Sequence, residues 1–346
     1  MDDLTERIRH GLPVEWDFPI AERPSDPDMR DGVNVWFFEE NGEFGVSRLG
    51  VDAVADSWDH RNDWDNRRIC ANIAFPNGRV LGGWYDSPAV PVLDERGQAR
   101  ILGTQALRFR CVEPFRLWHV SYDHEPTDSD TATQISGKMD PNRKARVRIE
   151  ADIALQIPVW KQVVADDDPS PEAGWLGRGW RYETPVSVIG TFETDGRRRD
   201  FKATGSLIRR KSRRTSSVNM YGHCWLAAGF PDGRAFGCNV FPKLPDRPQF
   251  NLGYLYLNGR YYDAKAVEAP WLRDHTFQGE DMSVTLESEL GLTRIRGESL
   301  LSTFKPSTPR MGGMTLHQGG VRFSWDDQVA IGLTERSAVV QAGSAR

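Results

Sequence analysis

The sequence predicts an all-β protein made of antiparallel barrels or sandwiches, and three observations carry that expectation. Short runs rich in Val, Ile, Phe, Tyr and Trp recur along the chain, and Gly, Pro, Asn or Asp turn signals separate them. Helical periodicity is almost absent. Regularly spaced strands of this kind favour barrels or sandwiches over α/β folds. At 346 residues the chain is long enough for two domains or one large β domain. Hydrophobic residues make up 39% and charged residues 27%, a balance that suits a folded chain.

In chain order, residues 1–12 offer at most a short amphipathic turn, with Leu4 and Ile8 at i, i+4. Strands are expected at 34–38 before Asn41-Gly42, at 69–73 before Pro76-Asn77-Gly78, at 108–111 before Pro114, and at 115–122. Within 146–155, Val147, Ile149, Ala151, Ile153 and Leu155 alternate with Arg146, Arg148, Glu150 and Asp152, the pattern of a half-buried antiparallel strand. The polar stretch 124–142 reads as a long loop. Asp166-Asp167-Asp168-Pro169-Ser170-Pro171, acidic and proline-bearing, reads as a linker. It divides the chain into domains at 1–165 and 172–337, followed by a tail at 338–346. The second domain is expected to place strands at 186–194, 200–208, 219–230, 235–241, 252–257, 282–287, 292–296, 321–325 and 329–334. The clearest hairpin turns at Pro231-Asp232-Gly233-Arg234: proline presets φ, aspartate bonds its own backbone and glycine supplies a positive φ.

Composition excludes several functions. A net charge of −5 argues against a nucleic-acid partner. The basic run 209–214 (Arg-Arg-Lys-Ser-Arg-Arg) lacks interleaved aromatics and reads as a solvated loop. Within it, Arg209 or Arg213 is available to Glu183, or to a carboxylate or phosphate on a ligand. No window of about 18 apolar residues predicts a membrane span. The acidic start Met1-Asp2-Asp3-Leu4-Thr5-Glu6 lacks a signal-peptide core, so a cytoplasmic protein is expected. Cys70, Cys111, Cys224 and Cys238 show no CxxC spacing and read as reduced buried thiols, a Cys224–Cys238 bridge being the lesser reading. The seven histidines form no HxH or HExxH, and no dinucleotide, P-loop or GxSxG motif occurs in a suitable context. Neither a metal nor a cofactor is expected.

The residues that carry chemistry cluster around the hairpin. Tyr221, His223 and Trp225 recur at period two and so leave one strand face together. They form either a core polar network or the floor of a pocket. His223 is a general acid/base in the second case and a buried imidazole fixing the hairpin in the first. Tyr182 and Glu183 are neighbours on a strand, so only one of them faces any cavity. Glu183 facing inward would have a raised pKa and serve as a proton donor; facing an arginine it would be a salt bridge. Asp200, beside Arg197-Arg198-Arg199, is a second acid candidate. A pocket in the first half, around Trp36, Trp84, Tyr85, Trp118 and Tyr122, is the other placement.

Several segments resemble a known superfamily. They are Tyr182-Glu183-Thr184-Pro185 leading to Gly190, Gly205 before the arginines, Gly222-His223-Cys224-Trp225, the run from Phe230 to Gly237, and the closing Gly332-Leu333-Thr334-Glu335-Arg336-Ser337. In the first half, the Trp36 strand and Phe115-Arg116-Leu117-Trp118 add to them. Together they are similar to the carotenoid hydratase-like and Diels–Alderase-like tandem lipocalins, the AttH/hydroxyneurosporene synthase-like group. The resemblance implies two lipocalin-like antiparallel β-barrels packed together with little helix, and a hydrophobic cavity in or between them. It also implies a cofactor-independent lyase, isomerase or cyclase acting on an unsaturated terpenoid, polyketide or steroid-like molecule. In the hydratases a His-x-Trp pair works with a Tyr-x-Asp pair. Here His223-Cys224-Trp225 matches the first, while Tyr254-Leu255-Tyr256 puts tyrosine where the acid stands. On this reading His223 moves a proton and Glu183 or Tyr254 assists. Tyr221, Trp225, Tyr182, Tyr256, Trp118, Trp36 and Arg209 contact the substrate. The alternative is a non-catalytic carrier of a hydrophobic ligand.

Overall fold

Buried and exposed side chains alternate in strands with one solvated face, as in Val147–Leu155, where every odd-numbered residue points into the core, while strands such as Gly222–Gly229 and Ala235–Phe241 are buried on both faces. The structure, a computed structural model, describes residues 11–55, 63–165, 178–213, 222–243, 249–305 and 313–339. The linker at 166–171 and Tyr221 lie outside the described residues, as do positions 1–10 of the N-terminal turn and 340–346 of the tail. The fold class is all-β with little helix, as the sequence predicts; where the resemblance implies two barrels, the strands form one closed eight-stranded barrel and one large sheet.

The large sheet takes β1 (Met29–Glu39), β2 (Gly45–Val54), β3 (Asn66–Ala74), β4 (Arg79–Pro88), β5 (Ile101–Gly103), β6 (Leu107–Glu113), β7 (Leu117–His124) and β8 (Thr127–Asp130). To these it adds β9 (Val147–Leu155), β10 (Trp160–Val164), β11 (Arg178–Thr194) and β12 (Arg197–Arg213). It has 12 strands in the order β5-β6-β7-β9-β11-β12-β1-β2-β3-β4-β8, with β10 paired to β11. An isolated bridge between Ala89 and Thr104 links the segment after β4 to the turn after β5, so the sheet wraps a single core. Leu12, Trp16, Phe18 and Ile20 of the preceding segment pack into that core. The stretch 124–142, expected to be a loop, instead holds β8 and a short helix α1 (Thr131–Ser136). Asp130 starts α1 by accepting the Thr133 amide at 2.8 Å.

The barrel closes in the order β13 (Gly222–Gly229), β14 (Ala235–Phe241), β15 (Phe250–Leu257), β16 (Arg260–Glu268), β17 (Val284–Ser288), β18 (Gly291–Lys305), β19 (Met314–Trp325) and β20 (Gln328–Val339). Cys224, Leu226, Phe236, Cys238, Leu255 and Phe323 fill it. The four cysteines are buried and free.

Two features depart from the sequence reading. The β11–β12 hairpin belongs to the large sheet, where β12 pairs with β1 and β11 with β9. The basic run is not a solvated loop: positions 209–213 complete β12, and Arg209 is fully buried in an ion pair with Asp31. A run of like charge survives in a strand because alternation separates it. Arg209 points into the sheet's core and Arg210 to the opposite face. Arg213 pairs with Asp26, so neither arginine is the partner of Glu183.

The same alternation builds the contact between the two sheets. β1 turns Val33, Val35 and Phe37 inward and Trp36 and Phe38 outward, while β13 turns Cys224 and Leu226 inward and Trp225 and Ala227 outward. The outward residues, with Ala74, Ile208, Leu301 and Leu333, form one shared apolar cluster. Gly205 permits close approach of β12 to β1: a Cβ there would stand 1.8 Å from the Trp36 carbonyl oxygen. Backbone cannot yield as a side chain does, so Gly205→Ala is expected to lower unfolding free energy by about 1–3 kcal/mol in urea titrations.

Candidate active site

Between the sheets, Trp36 and Trp225 meet edge to face, with ring centroids 4.8 Å apart at 88°. Arg48 lies 5.5 Å from the Trp36 ring and 5.0 Å from Trp84, and Arg181 lies 5.3 Å from Trp225. Apolar rings and buried guanidinium groups thus enclose polar side chains from both sheets in one buried inter-sheet region.

One side of this region is a chain of hydrogen bonds. Antiparallel register sets His223 opposite Ser337, Trp225 opposite Glu335, and Gln318 opposite Glu335. His223 Nδ1 is 2.6 Å from Ser337 Oγ, and its Nε2 is 3.3 Å from Glu335 Oε1. Glu335 Oε2 accepts from Gln318 Nε2 at 2.5 Å and faces Arg48 Nη1 at 3.4 Å. Gln318 Oε1 in turn accepts from Asn72 Nδ2 at 2.8 Å, which ties the barrel to the large sheet. Burial alone would raise the Glu335 carboxyl, but Arg48, His223 and Gln318 outweigh it and bring the group down to about 2. Its stabilising contribution is present above the unfolded value of 4.5 and is lost as the pH falls through about 2. Glu335→Gln is therefore expected to flatten the acid limb of a stability-versus-pH curve over that window, by about 3 kcal/mol in total.

On the other side stands Glu183. The opposite-face rule holds: Tyr182 points into the core of the large sheet, and Glu183 points toward the barrel, at Gly237. Glu183 Oε2 accepts from Arg181 Nη2 at 2.9 Å. Its Oε1, Trp225 Nε1 and the Tyr254 hydroxyl are buried without a partner at full hydrogen-bond geometry, although the Trp225 N–H lies close enough to act on the Glu183 carboxyl. Burial pushes the Glu183 carboxyl up to about 7, against the opposing pull of Arg181 and the nearby Trp225 N–H. Space for this acid comes from Gly237, where a Cβ would lie 2.6 Å from Glu183 Oε1 and 2.5 Å from Tyr254 Cε1. Tyr254 rests on Trp160 and Tyr261, with centroids at 4.8 and 5.2 Å. Burial drives its hydroxyl well above the ordinary tyrosine value, so it stays protonated. Two carboxyl groups between the sheets therefore hold different states near neutrality: Glu335 ionised, and Glu183 poised to carry a proton.

The remaining residues singled out from the sequence lie elsewhere. Tyr182, Trp118 and Arg209 converge inside the large sheet on Asp17. The Tyr182 hydroxyl donates to Asp17 Oδ1 at 2.5 Å, and Trp118 Nε1 to Asp17 Oδ2 at 3.2 Å. Arg209 Nη2 donates to the Phe18 carbonyl at 3.1 Å. Burial pushes the Asp17 carboxyl up, while bonds from Phe115, Tyr182 and Trp118 and the Arg209 charge oppose it. Tyr256 sits beside Tyr254 in a cluster with Ile157 and Trp160. Asp200 is exposed. Among the described residues, no group of three or more His, Cys, Asp or Glu could hold a metal ion, and no helix is long and apolar enough to cross a membrane.

The sequence matches, over residues 21–340, the family described as a domain of unknown function, DUF7064. The chain belongs to that family. No curated protein matches it. Among solved structures, the AttH-like protein NE1406 of Nitrosomonas europaea is similar, at 16% identity and a TM-score of 0.53, over 90% of this chain and 92% of that one. CghA, solved with Sch210972, is similar at 10% identity and a TM-score of 0.52, over 90% and 88% of the two chains. Kievitone hydratase of Nectria haematococca shows 10% identity and a TM-score of 0.49 over 92% of each. The first two of these share the fold of this chain.

For this DUF7064 chain, the structure thus brings His223, Glu183, Tyr254, Trp225 and Trp36 to one buried inter-sheet region. It also adds Arg181, Glu335, Arg48 and Gln318, which the sequence reading did not single out. Glu335 lies in the closing strand already noted for its resemblance, at the position paired with Trp225. Arg181 is two residues before Glu183 and so shares its face.

Proposed function

We propose that a cleft in this inter-sheet region is the site of a cofactor-independent lyase, isomerase or cyclase acting on a hydrophobic, unsaturated small molecule of terpenoid, polyketide or steroid-like character. The observation that supports it is the Glu183 carboxyl, buried with an unpartnered oxygen beside Trp225 and Tyr254 and opposite an ionised Glu335. Glu183 Oε1 gives its proton to a carbonyl oxygen or an alkene carbon of the substrate, and Arg181 holds the carboxylate left behind. The carboxylate left on Glu183 and the ionised Glu335 offset the positive charge that develops. Water adding to the cation and then losing a proton to Glu183 completes a hydration. Loss of a neighbouring C–H proton to Glu183 completes an isomerisation or cyclisation. Exclusion of water and the holding of one conformer contribute through orientation. That a fold relative, CghA, is solved together with Sch210972 agrees with an architecture that takes ligands.

A carrier without chemistry is the second reading. It draws support from the two ring nitrogens of His223, both already engaged by Ser337 and Glu335. Incubation of the protein with a panel of unsaturated terpenoid, polyketide and steroid compounds, followed by mass analysis for hydrated or isomeric products, separates the two. A product formed by the wild type and not by the Glu183→Gln variant supports the enzyme. Tight binding with every compound recovered unchanged supports the carrier.

A further inference from the structure

Unpartnered polar atoms recur between the sheets, at Trp36 Nε1 and Trp84 Nε1 among others. One group of six lies where β10 and β11 face β13, β14 and β15: Gln162 Nε2, Arg181 Nε, Glu183 Oε1, Trp225 Nε1, Asn239 Oδ1 and the Tyr254 hydroxyl. Contacts hold these side chains around one point. Arg181 Nη1 donates to Gln162 Oε1 at 3.3 Å, Arg181 Nη2 to Glu183 Oε2 at 2.9 Å, and Arg181 Cζ lies 5.3 Å from the Trp225 ring. Trp225 and Asn239 are direct cross-strand partners, as are Gly237 and Tyr254. Glu183 and Tyr254 meet above Gly237, the one place there without a side chain. Relative exposure is 2% for Glu183, 3% for Trp225, 0% for Tyr254, 6% for Asn239 and 8% for Gln162.

Buried polar atoms left without partners cost free energy unless something satisfies them. Donors prevail among these: a Gln amide, a guanidinium N–H, an indole N–H and a phenol. We propose that this end of the cleft binds an acceptor-oxygen head group, a carboxylate or a carbonyl, on an otherwise apolar ligand. The inference rests on the cleft being the ligand site and adds which end of the ligand lies against Glu183. The ligand's oxygen atoms accept from Arg181, Gln162, Trp225 and Tyr254. Its hydrocarbon part runs toward Trp36 and the apolar cluster of Phe38, Ile208 and Leu333. Arg181 also disfavours a cationic head, since two positive charges would share a site with little solvent.

Three probes of equal chain length test this: dodecanoate, 2-dodecanone and dodecylamine, titrated into the full-length protein with affinity read by calorimetry. Dodecanoate and 2-dodecanone are expected to bind at least about tenfold more tightly than dodecylamine. In Arg181→Met, dodecanoate is expected to lose roughly 10- to 100-fold in affinity and 2-dodecanone less, which distinguishes a carboxylate from a carbonyl head. In Gly237→Ala, whose methyl fills the space between Glu183 and Tyr254, both oxygen probes are expected to weaken. Should either variant fail to fold, the ranking of the three probes on the wild type decides alone. Dodecylamine binding as tightly as the other two would overturn the head-group assignment and leave the cleft as the ligand site. Failure of all three to bind would overturn both.

Discussion

Glu183→Gln is expected to lower turnover of the cleft's substrate by about 100- to 10,000-fold, the range for loss of a positioned general acid. Glutamine keeps the shape and leaves an amide oxygen for Arg181, so the fold is expected to survive. The wild-type rate is expected to fall as the pH rises through about 7, where Glu183 loses its proton. Stability follows the same group. The folded carboxyl sits at about 7 against 4.5 unfolded, so its contribution is complete below pH 4.5 and is lost as the pH rises through about 7. At roughly 1.4 kcal/mol per pH unit between those values, about 3 kcal/mol is at stake. The glutamine variant lacks that dependence, and urea titrations at several pH values between 4 and 8 read the difference. A variant with unchanged turnover would remove Glu183 from the chemistry.

Arg209→Met is expected to cost about 3–5 kcal/mol of unfolding free energy, the usual cost of stranding one partner of a buried ion pair. Arg209 and Asp31 are both 0% exposed, and Arg209 also donates to the Gly32 and Phe18 carbonyls at 3.1 Å each. Its loss leaves Asp31 charged in the core and releases the 12–20 segment from one of its anchors. Arg213→Met, four positions along the same strand, removes an ion pair whose members are 41% and 32% exposed and is expected to cost under about 1 kcal/mol. Comparable losses from the two variants would contradict the burial of Arg209.

This contrast shows what was legible in the sequence. Alternation fixed the strand character of Val147–Leu155 and the opposite faces of Tyr182 and Glu183, because side-chain direction in a strand depends only on parity. The His223-x-Trp225 face was legible for the same reason. Parity does not say what lies across from a face. Whether Trp225 looked into a barrel or out toward a second sheet depended on pairings between distant segments, and those bring Glu335, Gln318 and Arg48 to His223. The arginine run misled because a charged stretch is ordinarily solvated, and the buried Asp31 that compensates Arg209 lies 178 residues away. Trp118 and Tyr182 had the aromatic character of cavity walls, yet they bond to Asp17 inside the large sheet, on the side away from the cleft.

The location of the site is tested most directly by a crystal structure of the protein soaked with dodecanoate. Density for the chain alongside the Trp36–Trp225 pair, with its carboxylate against Arg181 and Tyr254, is the expected result. Density inside the β13–β20 barrel, or beside Asp17 in the core of the large sheet, would contradict it.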